Sequence, residues 1–314
     1  MGSSTRPRLV VDTDTASDDA VALLLAAASG LAELEAVTTV AGNVPVEQAT
    51  RNALITLELV DSQAPVYAGC ERPLVRPLET AQNVHGQDGM GDVGLPEPAG
   101  RASTKHATDE LLELADRAPG TLTLVTLGPL TNIAICFARR PNFLSAFRHV
   151  YCMAGAPDAV GNVSATAEFN VWADPEAAEM VVSAANPERV TWVGWDVSRK
   201  DAVLNSEHQQ QLRALGTPFA LFADKVNRTV QEFALQETGL AGYDLPDPVT
   251  MAVALRPELV LERECVYARI ARGDEARGQM LVDRNGSAPE ANLSLVRRVD
   301  AVGFRQLLFD TCAG

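Results

Sequence analysis

The chain predicts an α/β fold: an open, mostly parallel sheet with helices on both faces. Two observations carry that expectation. Short β-rich runs alternate with longer helical patterns from Leu9 to Val197, an order that implies parallel strands joined by helical crossovers. The first helical pattern, "DDAVALLLAAAS", is apolar on nearly every side, as a helix buried against a covered sheet must be.

The elements follow in order. "RLVVD" reads as a buried strand and "DDAVALLLAAAS" as the helix after it. "ELEAVTTVA" is a second strand and "VEQATRNALITLELV" an amphipathic helix. "TLTLVTL" is a strand, and "GPLTNIAICFARRP" starts a helix that stops at a proline. "HVYCMAG" is a strand; "DPEAAEMVVSAA" opens a helix with Asp174 as N-cap and Pro175 in the first turn. "RVTWVGWDV" reads as a strand throughout. No repeat or low-complexity linker divides the chain, so residues 1–314 are treated as one domain, with Gln82 to Arg101 a long Gly/Pro-rich loop of the kind that binds or covers ligands.

Composition narrows the partners. With 46% hydrophobic and 21% charged residues the chain is an ordinary globular protein. A formal net charge of −15 argues against nucleic acid and anionic membranes, which require basic patches. The longest apolar run, Ala20 to Ala28, is too short to span a bilayer. No secretory signal opens the chain, and the Met1-Gly2 start lacks the Ser or Thr a myristoylation motif needs, because Arg6 stands there. Five widely spaced cysteines without a C-x-x-C pair read as free thiols of a cytoplasmic protein.

Chemistry concentrates in "LVVDTDTASDDAVALLLAAA", where Asp12, Asp14, Asp18 and Asp19 fall between a strand and a helix. A cap by Ser17 or Asp18 and an acidic first turn explain one or two of them. Four do not fit that account, because crowded carboxylates repel and raise one another's pKa. A divalent cation resolves the conflict, and an all-oxygen donor set suits Ca²⁺ or Mg²⁺. The same run, D-x-D-x-T after a strand, also resembles phosphatases of the haloacid-dehalogenase type, a magnesium-dependent alternative with Asp12 as nucleophile and Asp14 as its acid/base partner. That family's later acidic pair has no counterpart here.

Further segments join the first. "AGN" carries Asn43, "TLGPLTN" places Leu127 at a strand end, "GNVSATAEFNVWADPEAA" holds Asn162, Glu168 and Asn170, and "YDLPDPVTMAVAL" puts Asp247 before an apolar helix. In that order, with "DTDTASDD", they resemble the inosine-uridine-preferring nucleoside hydrolases, from Leu9 to about the helix after Asp247. The resemblance implies Ca²⁺-dependent hydrolysis of the N-glycosidic bond of ribonucleosides by a homodimer or homotetramer. It implies Asp14, Asp19, Asp247 and the Leu127 carbonyl as calcium ligands, with Asp12 behind them. It implies Asp18 as the general base toward calcium-bound water, and Asn43, Met153, Asn162, Glu168 and Asn170 as ribose contacts. His85 matches a histidine that some members bring near the base.

Two departures stand out. Thr15-Ala16 replaces the family's Pro-Gly, so Ala16 either takes an ordinary backbone conformation or is strained. Pro246 stands where many members carry the histidine that protonates the leaving base, which leaves His85, Tyr243 and Asp244 as candidate donors. It also admits a catalytically weakened nucleoside-binding protein as a further alternative. Trp172, Trp192 and Trp195 are available for base stacking, but none falls at a clear stacking position. Gly89-x-Gly91-x-x-Gly94 matches the dinucleotide fingerprint formally but follows no strand.

Overall fold

The computed structural model describes residues 6–288 and 290–314, apart from the side chains of Glu237 and Thr238. The Met1-Gly2 start lies outside the described residues. From the N-terminus run β1 (Arg8–Thr13), α1 (Ser17–Ala28), β2 (Glu33–Thr39), α2 (Val46–Leu59), β3 (Val66–Ala68), α3 (Gln82–His85) and α4 (Ala107–Arg117). The next elements are β4 (Leu122–Thr126), α5 (Thr131–Arg139), β5 (His149–Met153), α6 (Phe169–Ala173), α7 (Pro175–Ala184), β6 (Val190–Val193) and α8 (Trp195–Asp201). Then come β7 (Val203–Asn205), α9 (Ser206–Ala214), α10 (Pro218–Val226), α11 (Arg228–Phe233), β8 (Gly242–Asp244) and α12 (Pro246–Leu255). The chain closes with β9 (Val260–Val266), β10 (Ala268–Ile270), β11 (Met280–Val282), β12 (Leu293–Val299) and α13 (Ala301–Ala313).

Eight strands form one sheet in the order β3-β2-β1-β4-β5-β6-β12-β9, parallel except for β9, which runs antiparallel to β12. The pleat sorts the core onto both faces. Leu9, Val11, Val125, Tyr151, Val193 and Val296 pack against α1, α2, α10, α12 and α13. Val10, Leu124, Val150, Trp192 and Leu295 pack against α4, α5 and α7. The open, mostly parallel sheet with two covered faces is thus the architecture the alternating pattern predicts.

Three local readings change. The "RVTWVGWDV" strand ends at Val193, and Trp195 already begins α8, its N–H bonded to the Gly155 carbonyl. A short apolar run does not distinguish a strand from the buried start of a helix. The Gln82–Arg101 loop opens with the single helical turn α3. The N-cap of α1 is Ala16 and not Ser17 or Asp18; Asp19, three residues on, bonds back to the Ala16 N–H. Ala16 lies in the ordinary extended region (φ −107°, ψ −156°), so the missing glycine causes no strain.

The topology fixes one location above the others. After β1 the chain builds outward through β2 and β3, then returns to β4 on the other side of β1 and builds the opposite way. The crevice at the carboxyl ends of β1 and β4 is therefore the switch point, where open α/β sheets bind ligands. α1 and α12, both buried along their length, pack against each other beside it.

Leu24, fully buried in α1, is expected to cost about 2–5 kcal/mol on replacement by alanine. Urea unfolding measures this, and a loss below about 1 kcal/mol would show that α1 is not a central core element.

Candidate active site and family

At the switch point the chain turns sharply, and its own polar groups arrange the acids. Thr13 Oγ1 donates to Asp19 Oδ1 (2.5 Å), and the Ala16 N–H donates to Asp19 Oδ2 (2.9 Å). The Asn43 N–H donates to Asp14 Oδ2 (2.6 Å). Two glycines permit this approach. A methyl on Gly42 would collide with the Asp14 carboxylate, and one on Gly128 would lie 2.7 Å from Asp14 Oδ1. Asp247, in the first turn of α12, completes the group. Carboxylate oxygens of Asp18, Asp19 and Asp247 lie within 4.8 Å of one another. Asp14 sits beside that trio, close enough for the Asp19 charge to act on it.

The electrostatics are unfavourable as the side chains stand. All four aspartates are 0–8% exposed, and among the described residues no lysine or arginine pairs with any of them. Burial, then the Asp19 charge, pushes Asp18 up to about 8. Asp14 and Asp247 are held well above the usual carboxylate range by burial and by their acidic neighbours, Asp19 first. Asp14 Oδ1 and Asp18 Oδ1 are buried without any hydrogen-bond partner. Oxygens that share one hard cation at about 2.3–2.6 Å lie within roughly 5 Å of each other, so the 4.8 Å grouping and the two orphaned oxygens fit a single divalent ion.

Asp12 is set apart. It is fully buried, and its Oδ1 accepts from Thr38 Oγ1 (2.6 Å) and Asn132 Nδ2 (2.8 Å). Asn132 also bonds the Thr39 carbonyl and the Cys70 N–H. A carboxylate enclosed in this way cannot attack a phosphate, so the phosphatase alternative is not favoured.

Met153, Asn162, Glu168 and Asn170 are tied to one another and to Leu127 through α6. Asn170 Nδ2 donates to the Leu127 carbonyl (2.6 Å) and to the Met153 carbonyl and sulfur (3.3 and 3.2 Å). Glu168 caps α6 and also receives the Gly155 N–H (2.7 Å); burial pushes its carboxyl up to about 7. Asn162 is exposed, and its Oδ1 accepts from the Phe169 N–H (2.9 Å). On the facing side His85, at the end of α3, lies with Nδ1 2.7 Å from Ser17 Oγ and 3.9 Å from Asp18 Oδ1. Burial lowers its pKa to about 4, so the ring is neutral at pH 7.

Asp244 accepts from Ser198 Oγ (2.5 Å) and from Trp195, and its charge acts on Asp18. Tyr243 is a correction: it is buried in the core with its hydroxyl bonded to Gln231, so it is not a proton donor to this site. The glycine triplet is a packing feature. Gly91 has φ +77°, a Cβ there would lie 2.8 Å from the Val226 carbonyl, and its own carbonyl accepts from Arg228. Sequence reasoning missed Thr13, Ser17, Asn132 and Ser198. Their only signal is proximity to the motifs; Asn132 sits inside "GPLTN", but its partner Asp12 is 120 residues away.

Comparison with known proteins agrees with this geometry. Residues 9–306 match the family described as inosine-uridine preferring nucleoside hydrolase. The pyrimidine-specific ribonucleoside hydrolase RihA of Shewanella woodyi is 36% identical over 307 residues, covering 97% of each chain. A plant nucleoside hydrolase superposes with a TM-score of 0.91 at 26% identity, over 98% of this chain and 99% of that one. A purine-preferring ribonucleoside hydrolase of Gardnerella vaginalis superposes with a TM-score of 0.90 at 28% identity, over 98% of both chains. With its switch-point acids, its sheet order and these matches, the chain belongs to the inosine-uridine preferring nucleoside hydrolase family and is a hydrolase acting on N-glycosyl bonds.

Proposed function

We propose that this protein hydrolyses the N-glycosidic bond of ribonucleosides to ribose and free base, with one Ca²⁺ at the switch point. The observation that carries the reading is the convergence of Asp18, Asp19 and Asp247 with Asp14 beside them, all buried, paired with no lysine or arginine among the described residues, and presenting two orphaned oxygens. Asp14, Asp19, Asp247 and the Leu127 carbonyl would hold the ion. When bound, it would gather the ribose hydroxyls and lower the pKa of a nearby water.

The chain's own groups do the rest. Asp18 keeps an oxygen with no internal partner and takes the proton of the attacking water. Asn43, Met153, Asn162, Glu168 and Asn170 surround the sugar, supplying donors and acceptors that a deoxyribose would leave unmatched. Pro246 holds no proton, so departure of the base falls to the opposite side of the cleft. His85 stands there, neutral, with Nδ1 engaged by Ser17; its Nε2 is the ring atom open to the base, as a hydrogen-bond partner and not as an imidazolium. Relatives named for pyrimidine and for purine substrates both align over nearly the whole chain, at 36% and 28% identity, so base preference is assigned to individual side chains within a shared fold. The chain acts as one catalytic domain. Assembly as a homodimer or homotetramer belongs to the same reading through the family resemblance. A cytoplasmic location is supported by five free cysteines, four of them buried, as a reducing compartment would keep them.

Asp18→Asn is expected to lower kcat about 10²–10⁴-fold, the usual contribution of a general base, with KM little changed. Reducing-sugar release across a nucleoside panel reads this, and near-normal turnover would remove Asp18 from the role. Chelator should abolish turnover in the wild type, and Ca²⁺ should restore it.

The metal-free protein should also show a pH-dependent stability of definite sign. Asp18 has a folded pKa of about 8 against an ordinary value of 3.8, so between those values the folded state binds more protons than the unfolded one. Stability then falls as pH rises through that window. The melting temperature of chelated protein is expected to drop from pH 5 to pH 8, and excess Ca²⁺ should raise it and flatten the slope. A chelated protein equally stable across that range would contradict the site electrostatics.

A further inference from the structure

Outside the acids, one charged side chain ties together two parts of the cleft that lie far apart in the sequence. Arg277 projects from the turn between β10 and β11. Its guanidinium lies 3.6 Å from the centre of the Trp172 ring, its Nε donates to the Trp172 carbonyl (2.8 Å), and its Nη1 pairs with Glu79 Oε1 (2.8 Å). The side chain is only 14% exposed, and Nη2 is buried without a partner.

The two anchors belong to different walls. Trp172 is in α6, which carries Asn170 and is capped by Glu168. Glu79 lies in the segment that leads into α3 and His85. The same walls touch through a small apolar group of Ala81, Phe169 and Ala173, with Trp172 packed against it. The Ala81 N–H bonds the Asn43 carbonyl (3.0 Å). The hairpin is shaped to lie close against α6. Gly278 has φ +77°, a Cβ there would lie 2.6 Å from Trp172 Cα, and Gln279 bridges to Ala167. Arg76, in the segment before Glu79, holds the Arg272 carbonyl of the hairpin and pairs with Glu176 of α7 (3.1 Å).

We propose that Arg277 is a positioning residue that latches the Asn162–Asn170 wall to the His85 wall and so sets how tightly the closed cleft holds its nucleoside. This rests on the reading of those walls as the substrate site. The latch does not touch the reacting atoms. Its contribution is the same in ground and transition states, so it acts on KM and not on kcat.

The test is steady-state kinetics of Arg277→Ala, Arg277→Lys, Glu79→Gln and the Arg277→Ala/Glu79→Gln pair on the intact protein, with melting temperatures measured alongside. Arg277→Ala is expected to raise KM about tenfold with kcat within about twofold, the loss of one charge-assisted contact. Glu79→Gln should raise KM less, the pair should be no worse than Arg277→Ala alone, and Arg277→Lys should recover part of the loss. Glu79 is half exposed, so its variant folds even if Arg277→Ala does not. An unchanged KM in Glu79→Gln, additive effects in the pair, or kcat and melting temperature falling together would overturn the latch. A wild type that releases no ribose would instead overturn the reading of the site itself.

Discussion

Mutual repulsion among four carboxylates out of water is the constraint around which this structure is organised. An ionised carboxylate loses several kcal/mol of hydration on burial, and here the cost recurs with like charges as neighbours. The fold answers with neutral donors. Thr13, the Ala16 N–H and the Asn43 N–H each hold one acid oxygen. The N-terminal turns of α1 and α12, whose dipoles favour negative charge, carry Asp18, Asp19 and Asp247. What these donors leave unmet is the part a cation fits.

The sheet order explains why such distant residues meet. β1 and β4 are adjacent although more than a hundred residues separate them, because the chain builds the two halves of the sheet outward from that pair. Asp14 leaves the end of β1 and Leu127 the end of β4, and the Leu127 N–H bonds the Asp12 carbonyl (2.8 Å). Asp247 arrives only because α12 packs along α1. Asp12, Thr38 and Asn132 then cross-link the ends of β1 and β2 to the start of α5. The acid cluster and the sheet's central strands are therefore held by neighbouring contacts.

Buried polar groups surround this centre. Asn43, Glu168 and Asn170 are each below 10% exposed, and His85 approaches Asp18 to 3.9 Å with its ring neutral. Glu168 shows how one group serves both structure and site: it caps α6 and fastens the turn after β5, which keeps Asn170 against the Leu127 carbonyl.

Local sequence determined what short-range physics can determine. Alternating apolar runs placed β1, β2, β4, β5 and β6 and the helices between them. Asp174 announced the cap of α7, and the crowding in "DTDTASDD" marked the turn where the buried acids meet. Local sequence did not determine that Ala16 would be the cap, that Trp195 would be helical, or that Tyr243 would point into the core, because each depends on which face a neighbour covers. Nor could it show that Asp12 is held by Asn132, that His85 meets Ser17, or that Arg277 reaches Glu79. Those contacts join residues 68 to 198 positions apart, and only the strand order and helix packing bring them within hydrogen-bonding range.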